Sequence, residues 1–400
     1  MSHIVAFRIE GLAGREKPVE LKLNRDTNIF FGLNGSGKTS LLKILHAAMK
    51  NDTSILHRVP FAAAEVEIYS KNWDKVFTRS IKKPKSPELS HRKVVKSRII
   101  QGNISYEMLE RNDVLPVETL EQEIKWTCTP NKPKDASSTN WRHEYLPTTR
   151  LHVSDEPFLS HEYSPSNPRW LTEEQLDLFF ARSVEHLWSR YSAEILGAVR
   201  MAQEQGLASI LRVVLSTKDA KHQNREVKLT ASTAYERVKN FLTRQGSASI
   251  LGTPAAFEKR YKEDVILQDV VQDIDSVEAK IEQAMASRNT LQKLISNMFR
   301  GNKEIQFTDK SIEVQIPSGD KIGLASLSSG EKHLLRILVQ TLLVEESSIM
   351  IDEPEISLHI DWQKDLIQSM RALNPNAQLI LATHSPEIMG AISDDKIFKI

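Results

Sequence analysis

The chain has 400 residues, 40% of them hydrophobic, and 53 Lys and Arg against 52 Asp and Glu give a net charge of +1. That much apolar content can bury a sizeable core, and at about 150 residues per domain the length predicts two or three units rather than one. Near-zero charge excludes a polycation drawn as a whole to nucleic acid or anionic lipid, so any such binding must be local. The one cysteine, Cys128, excludes an intramolecular disulfide and a cysteine-rich zinc site, and fits a reducing compartment. The opening MSHIVAFRIEGLAG lacks the regions of a secretory signal, and no apolar run of about 18 residues occurs. The expectation is a cytoplasmic protein that crosses no membrane.

Residues 3–9 and 19–23 read as strands, the second by period-two alternation, and the apolar run Thr27–Phe31 forms a third that stops where Gly32 begins a turn. Gly32 to Thr39, GLNGSGKT, then fits the phosphate-binding pattern GxxxxGK[ST]. Glycines let successive backbone N–H groups face a phosphate without interference from Cβ. Lys38 is placed to reach the β- and γ-phosphates, and Thr39 to offer its hydroxyl to Mg²⁺. Residues 39–46 open a helix whose N-terminal dipole favours an anion. Asn34, Gly35, Ser36, Gly37, Lys38, Thr39 and Ser40 are therefore the nucleotide-binding candidates in this half of the chain.

Residues 64–69 alternate as a strand. Between Arg79 and Arg98 eight Lys and Arg stand against one Glu, with two prolines, which reads as an exposed loop or hairpin edge and as a place where nucleic acid could bind. A turn-rich stretch at 160–168 marks a possible end of the first lobe. From Leu171 the pattern becomes helical over 171–215 and 253–299. Leu267, Ile274, Ile281, Arg288 and Ile295 recur every seven residues, interleaved with Val270, Val277, Ala284, Leu291 and Met298. Such a seam predicts a short arm of about 50 Å paired with residues 171–215. Residues 303–307 and 311–316 predict a hairpin. Beyond them helix and strand alternate, as in a buried parallel sheet.

Three further constellations carry chemistry. Ser328, Ser329, Gly330 and Glu331 open an apparent helix, and their hydroxyls, N–H groups and dipole make a second anion site. The apolar strand in SSIMIDEPE ends in Asp352, a metal-holding candidate beside Thr39, and in Glu353, placed to orient an attacking water as general base. Residues 379–385 form another apolar strand ending at His384, which can reach a γ-phosphate or that water. A single copy cannot readily bring both anion sites onto one phosphate. The simplest geometry is a head-to-tail homodimer in which residues 328–331 of one copy cover the nucleotide held by Lys38 of the other.

Together these residues resemble the ABC-type ATPases, with GLNGSGKT as Walker A, LSSGE as signature, IMIDEPE as Walker B and ATHSP as the switch histidine, in family order over residues 32–386. The long interval from Lys38 to Leu327 and the DEPEISLH continuation are similar to the OLD and RecF-like antiviral-defence branch. The YLPTTR segment with its short helical arm resembles the ATPases of Septu, retron-associated and PARIS systems. The resemblance implies an α/β ABC-type P-loop ATPase head with a helical, short coiled-coil insertion: lobe I in 1–165, the insertion in 166–300 and lobe II in 301–400. It further implies ATP and Mg²⁺ as ligands, hydrolysis across a homodimeric interface or a higher oligomer, and a sensor or scaffold role in antiviral defence. With sixteen residues after His384, no Toprim nuclease domain of the OLD type fits there, so the effector, a nuclease or toxin, is expected to be a separate protein. The alternative is a RecF or SMC-like repair ATPase that binds DNA directly. The chain departs from the family pattern twice: the Q-loop position falls either at Gln101 or at Thr149-Arg150, and His359 stands where the D-loop aspartate is usual. Arg8, Arg15 and Arg25 are equal candidates for the adenine contact.

Overall fold

The fold is a computed structural model that describes residues 2–83, 125–130, 140–148, 172–215, 229–244, 246, 251–299 and 303–400. Gln101, Thr149, Arg150, the turn-rich stretch at 160–168 and residues 84–98 of the basic segment lie outside the described residues. In chain order the first elements are β1 (Ser2–Glu10), β2 (Val19–Lys22), β3 (Thr27–Phe31), α1 (Lys38–Lys50), β4 (Ala63–Ser70), β5 (Lys75–Lys82), β6 (Thr127–Thr129) and β7 (His143–Leu146). Then follow α2 (Glu173–Leu215), α3 (Ala231–Arg244), α4 (Pro254–Glu263), α5 (Val265–Met298), β8 (Glu304–Phe307), β9 (Ile312–Gln315), β10 (Lys321–Ile322) and α6 (Ser329–Leu343). Last come β11 (Ser348–Asp352), α7 (Ile360–Leu373), β12 (Gln378–Thr383), α8 (Pro386–Met389) and β13 (Ile397–Lys399). They fall into two compact units interleaved in sequence, the first of Met1–Thr148, Glu346–Pro354 and Gln378–Ile400, the second of Thr149–Glu345 and Glu355–Ala377.

The first unit is built on a parallel sheet in the order β13-β3-β12-β11-β7 and an antiparallel sheet in the order β2-β1-β4-β5-β6. Every residue of β11 and β12 is buried, which is why IMI and LILA read as unbroken apolar runs rather than alternating ones. Leu41, Leu42, Ile44, Leu45 and Ala48 of α1 share one core with Ile4, Phe7 and Ile9 of β1, Val66 and Ile68 of β4, and Phe30, Met350 and Ile380 of the parallel sheet. The register aligns Asp352 with Ala382 and Thr383 with Phe31. The carboxyl ends of β11, β12 and β3 therefore lie at one level, where open α/β sheets place their ligands.

A buried amide ties this unit together. Gln378, fully buried, accepts from the Ile4 N–H at 3.0 Å and from the Ser348 hydroxyl at 2.6 Å, and donates to the carbonyls of Ile4 at 2.7 Å and Asn24 at 2.8 Å. Both sheets are thus joined through one side chain, whose polar atoms are paired as burial demands.

The basic segment expected to be an exposed loop or edge begins instead inside a sheet. β5 pairs with β4 over Lys75–Lys82 and with β6 around Arg79. Arg79 is 1% exposed, donates to the carbonyls of Ala48 and Met49 in the last turn of α1, and lies 4.0 Å over the Trp141 ring. Burial pulls its guanidinium pKa down to about 10. The positive charge is spent on the carbonyls that helix bonding leaves over at a C-terminus.

In the second unit α2 and α5 pack along one another, with Ser209 donating to Asp273 at 2.7 Å. Ile274, Val277, Leu291 and Ile295 of the expected seam are buried. Arg288, its charged interruption, turns to Asp309 at 2.5 Å and to the Phe307 carbonyl at 2.7 Å on the β8–β9 hairpin. The helical run expected over 253–299 is two helices. Asp264 ends α4 and caps α5, accepting from the Leu267 N–H at 3.1 Å, the side-chain geometry that starts a helix rather than continues one. Residues of α3, α4 and α5 form a separate small core around Ala234, Phe257, Tyr261 and Val271. Among the described residues no helix is long and apolar enough to cross a membrane.

Replacing Gln378 by Leu strands the buried Ile4 carbonyl and N–H and removes the acceptor of the buried Ser348 hydroxyl, while the Asn24 carbonyl keeps Asn28 Nδ2. The expected cost is about 2–4 kcal/mol, read as a lower urea midpoint at unchanged m-value. A midpoint within experimental error of wild type would show that the amide joins nothing.

Candidate nucleotide site

β3 ends at Phe31 and the chain turns through the phosphate loop into α1. Gly37, at φ 99°, sits where an L side chain is strained, and an added Cβ would press on Ala13 and Leu12 at 3.1 and 3.2 Å, so both backbone and packing require glycine here. Gly37 caps α1 with no side-chain hydrogen bond. The first N–H groups of the helix, at Thr39 and Ser40, thus point out of its start toward any anion in the loop. Leu33, Asn34 and Gly35 form an exposed tip. The Ser36 hydroxyl is buried without a protein partner.

Behind that tip the chemical groups converge. The Lys38 ammonium donates to the carbonyls of Gly32 at 3.0 Å and Leu33 at 3.3 Å, and to His384 Nε2 at 2.7 Å. Since Lys38 has only protons to give, this contact puts the imidazole proton on Nδ1. Asp352, 1% exposed, accepts from the Thr39 hydroxyl on Oδ1 at 3.2 Å and from the Thr148 hydroxyl on Oδ2 at 2.7 Å. Glu353 follows at φ 51°, a left-handed conformation uncommon for a non-glycine residue and typical of functional turns. Its N–H is held by the Ala382 carbonyl at 2.7 Å, and its carboxylate stands 3.9 Å from His384 Nε2. Lys38, Thr39, Asp352, Glu353 and His384, drawn from both ends of the sequence, thus meet at the carboxyl ends of three adjacent strands.

The residues fit a hard divalent cation. A carboxylate flanked by hydroxyls supplies oxygen donors of the kind Mg²⁺ takes, one or two from protein and the rest from phosphate and water. Tyr145, on β7, has its phenol pKa pushed up by burial and by the neighbouring Asp352 charge, a sign of how enclosed this carboxylate is.

The three arginines separate. Arg15 donates to the Ser36 carbonyl at 3.2 Å and so stands at the phosphate loop. Arg8 pairs with Glu20 and Glu10 on the strand surface, and Arg25 donates to the Glu346 carbonyl. Thr148 was not among the residues singled out from the sequence. Its only sequence signal is its place in the YLPTTR segment, directly before Thr149-Arg150.

The 328–331 turn belongs to the second unit. Ser328 is the exposed N-cap of α6 and accepts from the Glu331 N–H at 3.4 Å, while the Glu331 carboxylate accepts from the Ser328 N–H at 2.7 Å, a reciprocal capping box. Glu331 is buried and also receives Lys303 Nζ at 2.6 Å, so its charge faces inward and Ser328 and Ser329 are left at the helix mouth. Burial opposes the ionised Glu331, but the Lys303 and Ser328 hydrogen bonds outweigh it and its pKa is lowered. A Cβ on Gly330 would fall 2.2 Å from the Ser357 carbonyl, so this turn lies directly on the segment after Glu355. His359 caps α7, accepting from the Asp361 N–H.

This fold and this cluster define a P-loop ATPase. A family model described as AAA ATPase domain matches residues 3–389, and the chain belongs to that family. Among curated proteins it is similar to the Retron Vc95 probable ATPase of Vibrio cholerae serotype O1 biovar El Tor, 30% identical over 95 residues, covering 20% of this chain and 18% of that one. It is also similar to the Retron Ec83 probable ATPase of Escherichia coli, 30% identical over 90 residues, covering 19% and 17%. The matched stretches thus span less than a fifth of those relatives. Among solved structures, an Smc head domain with an extended coiled coil bound to the C-terminal domain of ScpA, from Pyrococcus furiosus, aligns over 100% of this chain and 93% of that one at 12% identity and a TM-score of 0.45. The SMC head domain from Thermotoga maritima aligns over 98% and 92% at 11% identity and a TM-score of 0.39.

Ser328→Ala should lower stability by about 1 kcal/mol through loss of the cap, measured by urea unfolding. Because the folded-state pKa of Glu331 is depressed, its stabilisation is present above the unfolded value of 4.5 and is lost as pH falls through the folded one. The stability gap between wild type and Glu331→Gln should therefore be constant near neutrality and shrink below pH 4.5; a gap independent of pH down to 3 would contradict the assignment.

Proposed function

We propose that this protein is a Mg²⁺-dependent ATPase in which ATP, held by the first unit of one copy, is covered by the 328–331 turn of a second copy in a head-to-tail homodimer, and that turnover controls a separate effector, a nuclease or toxin, in prokaryotic antiviral defence. The observation that carries the reading is the meeting of Lys38, Thr39, Asp352, Glu353 and His384 at the carboxyl ends of three adjacent strands. Lys38 exchanges the loop carbonyls for the β- and γ-phosphate oxygens. Thr39 and Asp352 hold the cation, which when bound neutralises charge building on those oxygens. Glu353 orients the attacking water and accepts its proton. His384, its Nε2 already within reach of Lys38, contacts the γ-phosphate or the attacking water. Phosphoryl transfer asks mainly for positioning and charge stabilisation; the ends of β11 and β12 carry Asp352, Glu353 and His384, and the first turn of α1 carries Lys38 and Thr39.

The second copy enters because α6 presents Ser328 and Ser329 at an exposed helix start, a second anion-seeking end. The defence assignment is supported by the similarity to two retron ATPases and by the sequence resemblance to that branch. For the alternative of direct DNA binding, the described cations of the basic segment divide: Lys82 is exposed, and two others are engaged within the fold. Arg79 is buried against α1, and Lys83 reaches the Val59 carbonyl and lies over Phe61.

Glu353→Gln should bind ATP, turn it over at least about 10²-fold more slowly, and run as a nucleotide-dependent dimer by light scattering. Lys38→Ala should lose nucleotide affinity. Unaltered turnover in both variants would reject the assignments. Salt-sensitive DNA binding by the isolated protein, abolished by neutralising Lys85, Arg92 and Lys93, would move the reading from defence to repair.

A further inference from the structure

Asp352 is held on both sides by hydroxyls, and only one of the two belongs to the phosphate loop. Thr39 reaches Oδ1 from the first turn of α1 at 3.2 Å, and Thr148 reaches Oδ2 from beyond β7 at 2.7 Å. Once Thr39 turns its oxygen to a cation it no longer restrains the carboxylate. The terminal torsion of Asp is broad, with no staggered well to hold it. The shorter Thr148 bond is the one that persists.

Thr148 is delivered to that place by several independent contacts. β7 pairs in parallel with β11 from His143 opposite Ser348 to Leu146 opposite Ile351, which sets Thr148 alongside the end of the strand carrying Asp352. Pro147 fixes the backbone between strand and threonine. A second tie runs to α1: His143 Nε2 lies 2.7 Å from His46 Nδ1, His143 Nδ1 lies 2.7 Å from the Trp141 carbonyl, and the Tyr145 ring stacks on His46 at 4.8 Å. The helix that carries Thr39 and the strand that leads to Thr148 are therefore braced against each other, with Asp352 between their two hydroxyls.

We propose that Thr148 is a positioning residue for cation binding: it anchors Oδ2 of Asp352 so that Oδ1 stays presented beside Thr39. The proposal rests on the reading of Asp352 as the Mg²⁺-side carboxylate. Residues that orient a metal ligand change metal affinity about 10–100-fold when removed, and Thr148 meets that description without touching the cation itself.

The test is binding of a fluorescent ATP analogue to the full chain, titrated with Mg²⁺ and repeated in EDTA. Thr148→Val keeps the branched shape and removes the hydroxyl. It should raise the Mg²⁺ concentration for half-maximal response by about 10-fold or more while leaving affinity in EDTA unchanged. Thr148→Ser, which keeps the hydroxyl, should restore the wild-type Mg²⁺ dependence. An unshifted Thr148→Val titration, an equal loss in Thr148→Ser, or a parallel loss in EDTA would each overturn the proposal. Asp352→Asn separates the two levels. If it abolishes the Mg²⁺ response while Thr148→Val does nothing, only the role of Thr148 falls. If Asp352→Asn keeps a full response, the reading of Asp352 falls and takes this inference with it.

Discussion

The last rungs of the parallel ladder join Asp352 to Ala382 and Thr383 to Phe31, and the chemistry of the first unit hangs on that shared level. One residue beyond each rung stand Glu353, His384 and the start of the phosphate loop. Because β11 and β12 are buried on both faces, burial alone does not fix their register. A slip of one residue in any of the three strands would nevertheless carry the clustered groups apart. Gln378 sits at the opposite end of β12 and bonds four backbone and side-chain groups, three of them buried, which pins the register where an all-apolar strand would be freer to slide.

The same economy appears at the 328–331 turn. Capping α6 takes the Glu331 carboxylate inward, onto the Ser328 N–H and Lys303. What remains at the mouth of the helix is uncharged: Ser328, Ser329 and backbone. A turn built this way offers hydroxyls, N–H groups and a helix dipole to an anion while its own carboxylate is turned inward. Glu331 thus shapes the turn through its bonds to the Ser328 N–H and Lys303.

Much of this was legible from local pattern. The phosphate loop, its feeding strand and the helix after it need only neighbouring residues to declare themselves, and the strands ending in Asp352 and His384 are apolar runs with a polar stop. What escaped depended on distant partners. Arg79 looked like surface charge because nothing near it in sequence reveals that the carbonyls of Ala48 and Met49 need a donor. Asp264 lay in a helical run with no proline or glycine beside it, and its role as a cap shows only once its oxygen meets the Leu267 N–H. Arg288 read as a flaw in a heptad seam until the hairpin supplied Asp309. Thr148 stands inside the YLPTTR segment, but nothing local points to Asp352, and the contact comes only from pairing of β7 with a strand two hundred residues away.

The central claim is that each ATP is gripped by one copy and completed by another. Mixing two defective chains tests it most directly. A Lys38→Ala chain keeps its 328–331 turn, and a Ser328→Arg chain keeps its phosphate loop, so each alone should be inactive. Mixed in equal amounts, half of randomly formed pairs contain one intact site, and ATPase activity should recover to about a quarter of wild type. Full activity of the Ser328→Arg chain by itself, or no recovery on mixing chains that demonstrably associate, would contradict the account.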